Sequence, residues 1–134
     1  MEFFVESSGQ TKRYIEALLP SMLAQLKLTK SRKFLHIKVD RDLEESGTTI
    51  PLAGLDTILV VLKANRNKID LGVTLAHELA HVAQFARGTL TLTPKGKRWK
   101  GKFYGRGVAY LQQPWETDAF SKHCLLYTSD AADE

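Results

Sequence analysis

Only one cysteine, Cys124, occurs in the 134 residues, so no disulfide framework and no cysteine-built metal site can form within the chain. Proline is nearly as scarce, at four residues, which leaves long stretches free to adopt regular structure. No apolar run approaches the roughly 20 residues a helix needs to cross a bilayer, so no membrane partner is expected. The opening Met1-Glu2-Phe3-Phe4-Val5-Glu6 lacks a basic region followed by an apolar core, and is not read as a secretory signal. Internal repeats and low-complexity linkers are also missing, which excludes solenoids and arrays. What is left, 43% hydrophobic and 25% charged residues, is ordinary for a globular protein of one domain. A cytoplasmic chain of a prokaryote or its virus fits these absences. Oligomeric state leaves no mark in the sequence.

Against that plain background, His77-Glu78-Leu79-Ala80-His81 stands out. Residues four apart share a helix face, so both imidazoles can address one Zn²⁺. Glu78 points about 100° round the helix from His77 and can reach a water on the metal rather than the metal itself. Residues 69–87 contain no proline, Asn67 or Asp70 can cap the start, and Gly88 supplies a stop. Leu71, Leu75, Leu79, Val82 and Ala86 recur at helical spacing as a buried stripe. His77, Glu78, His81 and Gln84 fall on another face, expected to look into a cleft. The plain alternative is a helix with two solvated histidines.

A catalytic zinc needs a third protein ligand. Gln84 and Arg87 stand where the metzincin pattern has glycine and histidine, so that pattern is excluded. The other histidines are His36 and His123; His36 lies in an alternating run that reads as a strand. Downstream, the segment 113–120 reads as a new helix with Pro114 at its first position. Glu116 then occupies the first turn, where a carboxylate also suits the helix dipole.

His-Glu-x-x-His followed by Glu116-Thr117-Asp118-Ala119 resembles the gluzincin class of zinc metallopeptidases. More narrowly, His77 to His81, then Trp99-Lys100-Gly101-Lys102, then Pro114-Trp115-Glu116 resemble small phage-type metallopeptidases, cousins of the SprT-like minimal proteases. The resemblance spans residues 55–120. It implies a compact minimal zincin core, Zn²⁺ as cofactor, ligands His77, His81 and Glu116, and a protein or peptide substrate. Small Ala119, one turn after Glu116, would let the two helices approach closely. Thermolysin-like gluzincins place an aspartate four residues after the ligand glutamate, where this chain has Phe120. Asp118 is the nearest substitute, at a different angle on the helix.

Residues 124–134 resemble the translation of a sequencing adapter, and are set aside from fold reasoning as a construction scar would be. A genuine acidic tail is the alternative. The domain is expected to span residues 1–123 and to end prematurely in the Glu116 helix.

The fold class expected is α+β, a small mixed sheet packed on the metal helix and a second ligand helix. Strands are expected at 3–6, 34–40, 56–64 and 89–93, the last pairing with 99–104 across a turn at 94–98. A helix is expected over 11–28, kinked or interrupted by Pro20. The polar stretch 41–52, with Gly47 and Pro51, reads as a loop. The strand at 56–64 would lie beside the cleft, where an extended peptide can add by backbone pairing.

Chemically, Glu78 is the candidate general base. Tyr104, Tyr110 and Arg106 are candidate oxyanion stabilisers by location. The net charge is +4, with Lys95, Lys97, Arg98, Lys100 and Lys102 crowded around Trp99. Cations interleaved with aromatics suit DNA contacts, and the resemblance would then imply a protease of DNA-associated proteins. The plain reading is a solvated hairpin whose Trp99 packs on the core. Two other classes stay open: a regulatory zincin-like domain with little turnover, and a basic DNA-binding module stapled by a structural zinc.

Overall fold

A computed structural model of the protein describes residues 1–132, with side chains as far as Leu126. It is a mixed α+β fold of two sheets and three α-helices, β1(Glu2–Glu6), α1(Gly9–Gln25), β2(Phe34–Asp40), β3(Gly47–Leu52), β4(Thr57–Lys63), α2(Lys68–Ala86), β5(Leu90–Thr93), β6(Gly96–Trp99), β7(Lys102–Gly105) and α3(Pro114–Ala132). A short 3₁₀ turn, Tyr110–Gln112, precedes α3. Among the described residues no helix is long and apolar enough to cross a membrane.

The first sheet has the order β1-β2-β4-β3. β1, β2 and β4 run parallel, and β3 closes the edge antiparallel to β4. The alternation in β2 and β4 sends Leu35, Ile37, Ile58, Val60 and Leu62 to one face, where they meet Ile15, Leu19 and Met22 of α1 and Leu71, Leu75 and Leu79 of α2. That shared layer is the main core, and it sets α2 on the sheet.

Three local readings need correction. α1 is continuous through Pro20. The carbonyl that loses its partner belongs to Glu16, four residues earlier; both residues are exposed, so water can bond it. The stretch 41–52 is a loop only in its first half; Gly47–Leu52 is a strand. Thr48, Thr49 and Ile50 favour extended backbone, and Pro51 is tolerated because β3 is an edge. β4 therefore lies inside the sheet, and β3 borders the cleft.

The second sheet is a meander, β5-β6-β7, rather than one hairpin. Lys100 and Gly101 have φ of 50° and 85°, the two left-handed residues of a tight turn between β6 and β7. Trp99 is buried with Leu90 and Trp115 in a small second core.

Helix α2 starts where Asn67 accepts hydrogen bonds from the backbone of Ile69 and Asp70, and the chain leaves it at Gly88 with φ 73°. The Arg87 guanidinium donates to the Leu26 carbonyl and ties the end of α2 to the end of α1. α3 begins at Pro114, packs on α2 through Ala119, which is fully buried, and continues without a break past residue 123. Leu126, in the adapter-like stretch, is buried against the main core, while Cys124 is exposed.

Candidate metal centre

Helix periodicity puts His77 and His81 on one side of α2, and α3 delivers Glu116 from its first turn to the same place. Glu116 Oε1 lies 2.9 Å from His77 Nε2 and 3.2 Å from His81 Nε2. One ligand atom from each of the three residues falls within 4.8 Å of the others, a group able to hold a metal ion. The face is not an open one: His81 is 7% exposed and Glu78 6%, so burial reaches well beyond the expected leucine stripe.

The hydrogen bonds behind the histidines decide whether this donor set suits a metal. Gln84 Nε2 donates to the Trp115 carbonyl and to Asp118 Oδ2, both at 2.9 Å, which uses both amide protons. Gln84 Oε1 is thus the atom 2.8 Å from His81 Nδ1, and Nδ1 must carry a proton. In the neutral ring the lone pair is then on Nε2, facing Glu116. His77 Nδ1 meets His123 Nδ1 at 2.8 Å, so one donates and the other accepts. Burial and the charge of His77 push the His123 pKa down, which favours its neutral ring. In the arrangement where His77 Nδ1 donates and its ring is neutral, the His77 Nε2 lone pair faces Glu116 and can bind a metal. Two imidazole nitrogens and one carboxylate oxygen, each ring oriented by a partner, fit a divalent metal.

Glu78 stands beside this group rather than in it. The single Thr49 hydroxyl proton is shared between Glu78 Oε1, at 2.8 Å, and the Glu78 backbone carbonyl, at 3.2 Å. β3 can come this close because residue 47 is glycine: a Cβ there would lie 2.9 Å from Glu78 Cγ and 2.9 Å from Thr74 Cγ2. Burial pushes the Glu78 carboxyl above its ordinary range, against the Thr49 bond and the histidine charges. A cleft of about 500 Å³ opens over these groups, lined on one side by Gly47, Thr48 and Thr49 of β3.

Of the candidate oxyanion donors, only Tyr110 reaches the group, its hydroxyl donating to Glu116 Oε1 at 3.2 Å. Burial and the Glu116 charge raise its pKa. Tyr104 is instead packed edge-on against the Trp115 ring, and the Arg106 guanidinium donates to the Pro94 carbonyl at 2.6 Å. His36 lies in β2, as expected, beside Glu6. Phe120 is exposed and touches His123 edge-on. Asp118 serves His81 through Gln84 rather than directly. The hairpin cations do not all share a face: Arg98 alternates away from Lys97, which turns into the cleft, whereas exposed Lys102, opposite Trp99, is on the Lys97 face. Buried Trp99 is not presented for base stacking.

Thr49, Gln84 and His123 are the contributors that sequence reasoning missed. Gln84 was placed on the histidine face, but its partners lie 31 and 34 residues away and leave no local signal. No protein-family model, curated protein or solved structure matches the chain.

A metal held by this group would compete with a proton for His81. In the metal-free chain its pKa is raised although burial, the largest influence, opposes this; the bond to Glu116 and the charge of Glu116 prevail. Glu116 is held far below its ordinary 4.5: burial is the largest single influence and pushes up, but the bonds and charges of both histidines outweigh it. The Glu116 contribution to stability is complete above pH 4.5 and fades as pH falls below it. The His81 contribution is complete below pH 6.5 and fades as pH rises through its raised value. Glu78, with its pKa raised, costs stability as pH climbs above 4.5. His123, its pKa pushed down, opposes this below pH 6.5, but it is less buried than His81 and Glu78, which both favour the lower pH. Melting in a chelator should therefore occur at a higher temperature at about pH 5.5 than at about pH 8, and added zinc should stabilise most at the higher pH. A chelated protein more stable at the higher pH contradicts this balance. Gln84→Leu should weaken zinc binding by about ten- to a hundredfold in a chelator competition, with the fold retained by circular dichroism; unchanged affinity would remove Gln84 from the site.

Proposed function

We propose that this chain is a zinc-dependent endopeptidase, with His77, His81 and Glu116 as ligands and Glu78 as general base. One observation carries the reading: a buried carboxylate, Glu78, is held by Thr49 at the edge of the donor group without joining it. A metal that only stapled the fold would not require such a group. Two imidazoles and one carboxylate are the donor set of catalytic zinc in hydrolases, which favours zinc over harder cations. Zinc, when bound, polarises a carbonyl and brings the pKa of water to about 7.

Glu78 Oε1 or Oε2 takes a proton from the attacking water and returns it to the nitrogen of the leaving amine. Burial suits this task, because it shifts the carboxyl towards the pH at which it works. Gln84 and His123 keep the two imidazoles from rotating, so Nε2 of each stays turned to Glu116. The Tyr110 hydroxyl is placed to move from Glu116 to the oxygen that gains negative charge, and its exposure at the cleft mouth leaves it free to do so. β3 is paired on one side only, and its other side borders the cleft, so an extended peptide can add to it as a further strand.

Glu78→Gln keeps the shape and the Thr49 bond but removes the base. It should lower hydrolysis of a denatured protein substrate by about 10²–10⁴-fold while one equivalent of zinc stays bound. Full activity in Glu78→Gln, together with unfolding in His81→Ala, would favour the other reading, a basic DNA-binding or regulatory domain with a structural zinc.

A further inference from the structure

Lys97 is the one lysine or arginine among the described residues that line the cleft. It sits in β6, two residues before buried Trp99 and directly opposite Tyr104 of β7, so it shares their face of the small sheet. Its Nζ lies 5.0 Å from the centroid of the Trp115 ring, and Trp115 is 3% exposed. Phe85 and Leu90 line the cleft with them. The ammonium is thus half-buried over an apolar floor next to the residue that precedes Glu116.

Among the described residues no carboxylate comes within the 4.0 Å of an ion pair with Lys97. The acids nearest the metal centre are engaged elsewhere: Glu78 with Thr49, Glu116 with the two histidines and Tyr110. The indole Nε1 of Trp115 is also a buried donor without an acceptor. Glu45, the third acid lining the cleft, is exposed and makes no ion pair with Lys97. A ring beneath a lysine fixes the ammonium in place but leaves its three N–H groups uncommitted. An incoming carboxylate would find a charge-assisted bond in a site already part-desolvated, where such a bond is stronger than at an open surface.

We propose that Lys97 selects the substrate by its charge: the cleft takes a peptide with a carboxylate on one side of the bond to be cut, either an Asp or Glu side chain or a free C-terminus. The inference rests on the peptidase reading and narrows its substrate class. Arg98 points to the opposite face; Lys102, paired opposite Trp99, shares the Lys97 face but lies over the Tyr104 ring and does not line the cleft.

The test is binding and cleavage with one set of labelled hexapeptides, in which a single position is Glu, Gln or Lys and the C-terminus is acid or amide. Binding is read by fluorescence anisotropy on the zinc-loaded Glu78→Gln chain, where turnover is stopped. A Glu peptide or a free C-terminus should bind about tenfold more tightly than its Gln or amide counterpart. The two arms separate the side-chain source from the terminal one. Adding Lys97→Gln should bring the ratio close to one, Lys97→Arg should keep it, and Lys97→Glu should turn the preference towards Lys peptides. Equal binding of acid and neutral peptides, no peptide binding at all, or a ratio indifferent to Lys97 overturns the proposal. So does Lys97-dependent binding of a single-stranded oligonucleotide in place of the peptides. Cleavage of the same set by the unsubstituted chain is scored separately. Cleavage without charge preference defeats only the Lys97 inference, whereas charge-selective binding without any cleavage defeats the peptidase reading and leaves the carboxylate site standing.

Discussion

Two imidazole nitrogens converge on one carboxylate oxygen, and the rest of the architecture serves to keep them there. His77 and His81 are one turn apart on α2, which is fixed to the sheet by the leucine layer of the main core. Glu116 comes from another helix, so its position depends on how α3 docks. That docking is set by Ala119 at the helix contact, by Trp115 in the second core, and by the Gln84 amide, which bonds both Trp115 and Asp118 of α3. The same amide orients His81. One side chain therefore couples the tautomer of a ligand to the placement of the helix that carries another ligand. Without a metal, the arrangement holds together by charging His81 against Glu116; with one, that proton must leave. A metal bound there would take the place of that proton rather than fill a void.

The second constraint is the approach of β3 to α2. Gly47 lets the edge strand come within contact of Glu78 and Thr74, and Thr49 then holds the carboxylate from the strand side. Strand and base are positioned by one contact. A strand that could receive a peptide backbone is thus locked to the group that would handle the proton. The small β5–β7 sheet closes the other side of the cleft, bringing Lys97 over Trp115, next to Glu116. Its charge is divided: β pairing sends Arg98 away from Lys97, the turns carry Lys95 and Lys100 to opposite ends, and Lys102 stays on the Lys97 face, over Tyr104.

Much of this was legible in the residues. The period of α2, its Asn67 cap and its Gly88 stop located the metal helix, and the β-branched run at 57–62 located the central strand. Pro114 marked the start of α3, which put Glu116 in the first turn. The failures share a cause: they depend on partners distant in sequence. β3 looks like a loop because Gly47 and Pro51 are loop residues by propensity, yet the glycine is there for close packing and the proline is harmless at an edge. Gln84 and His123 act through partners on α3 and α2, 31 to 46 residues away, and periodicity carries no such information. Trp99 among five cations resembles a stacking platform until Leu90 and Trp115 are seen to bury it.

The central claim is that three residues from two helices hold one metal. Elemental analysis of the purified chain, of Glu116→Ala, and of the double variant His77→Ala/His81→Ala tests it most directly. The account predicts one zinc per chain, none in the double variant, and weakened retention without Glu116 after dialysis against a mild chelator. A well-folded chain that carries no metal, or one whose metal content ignores both substitutions, would contradict it.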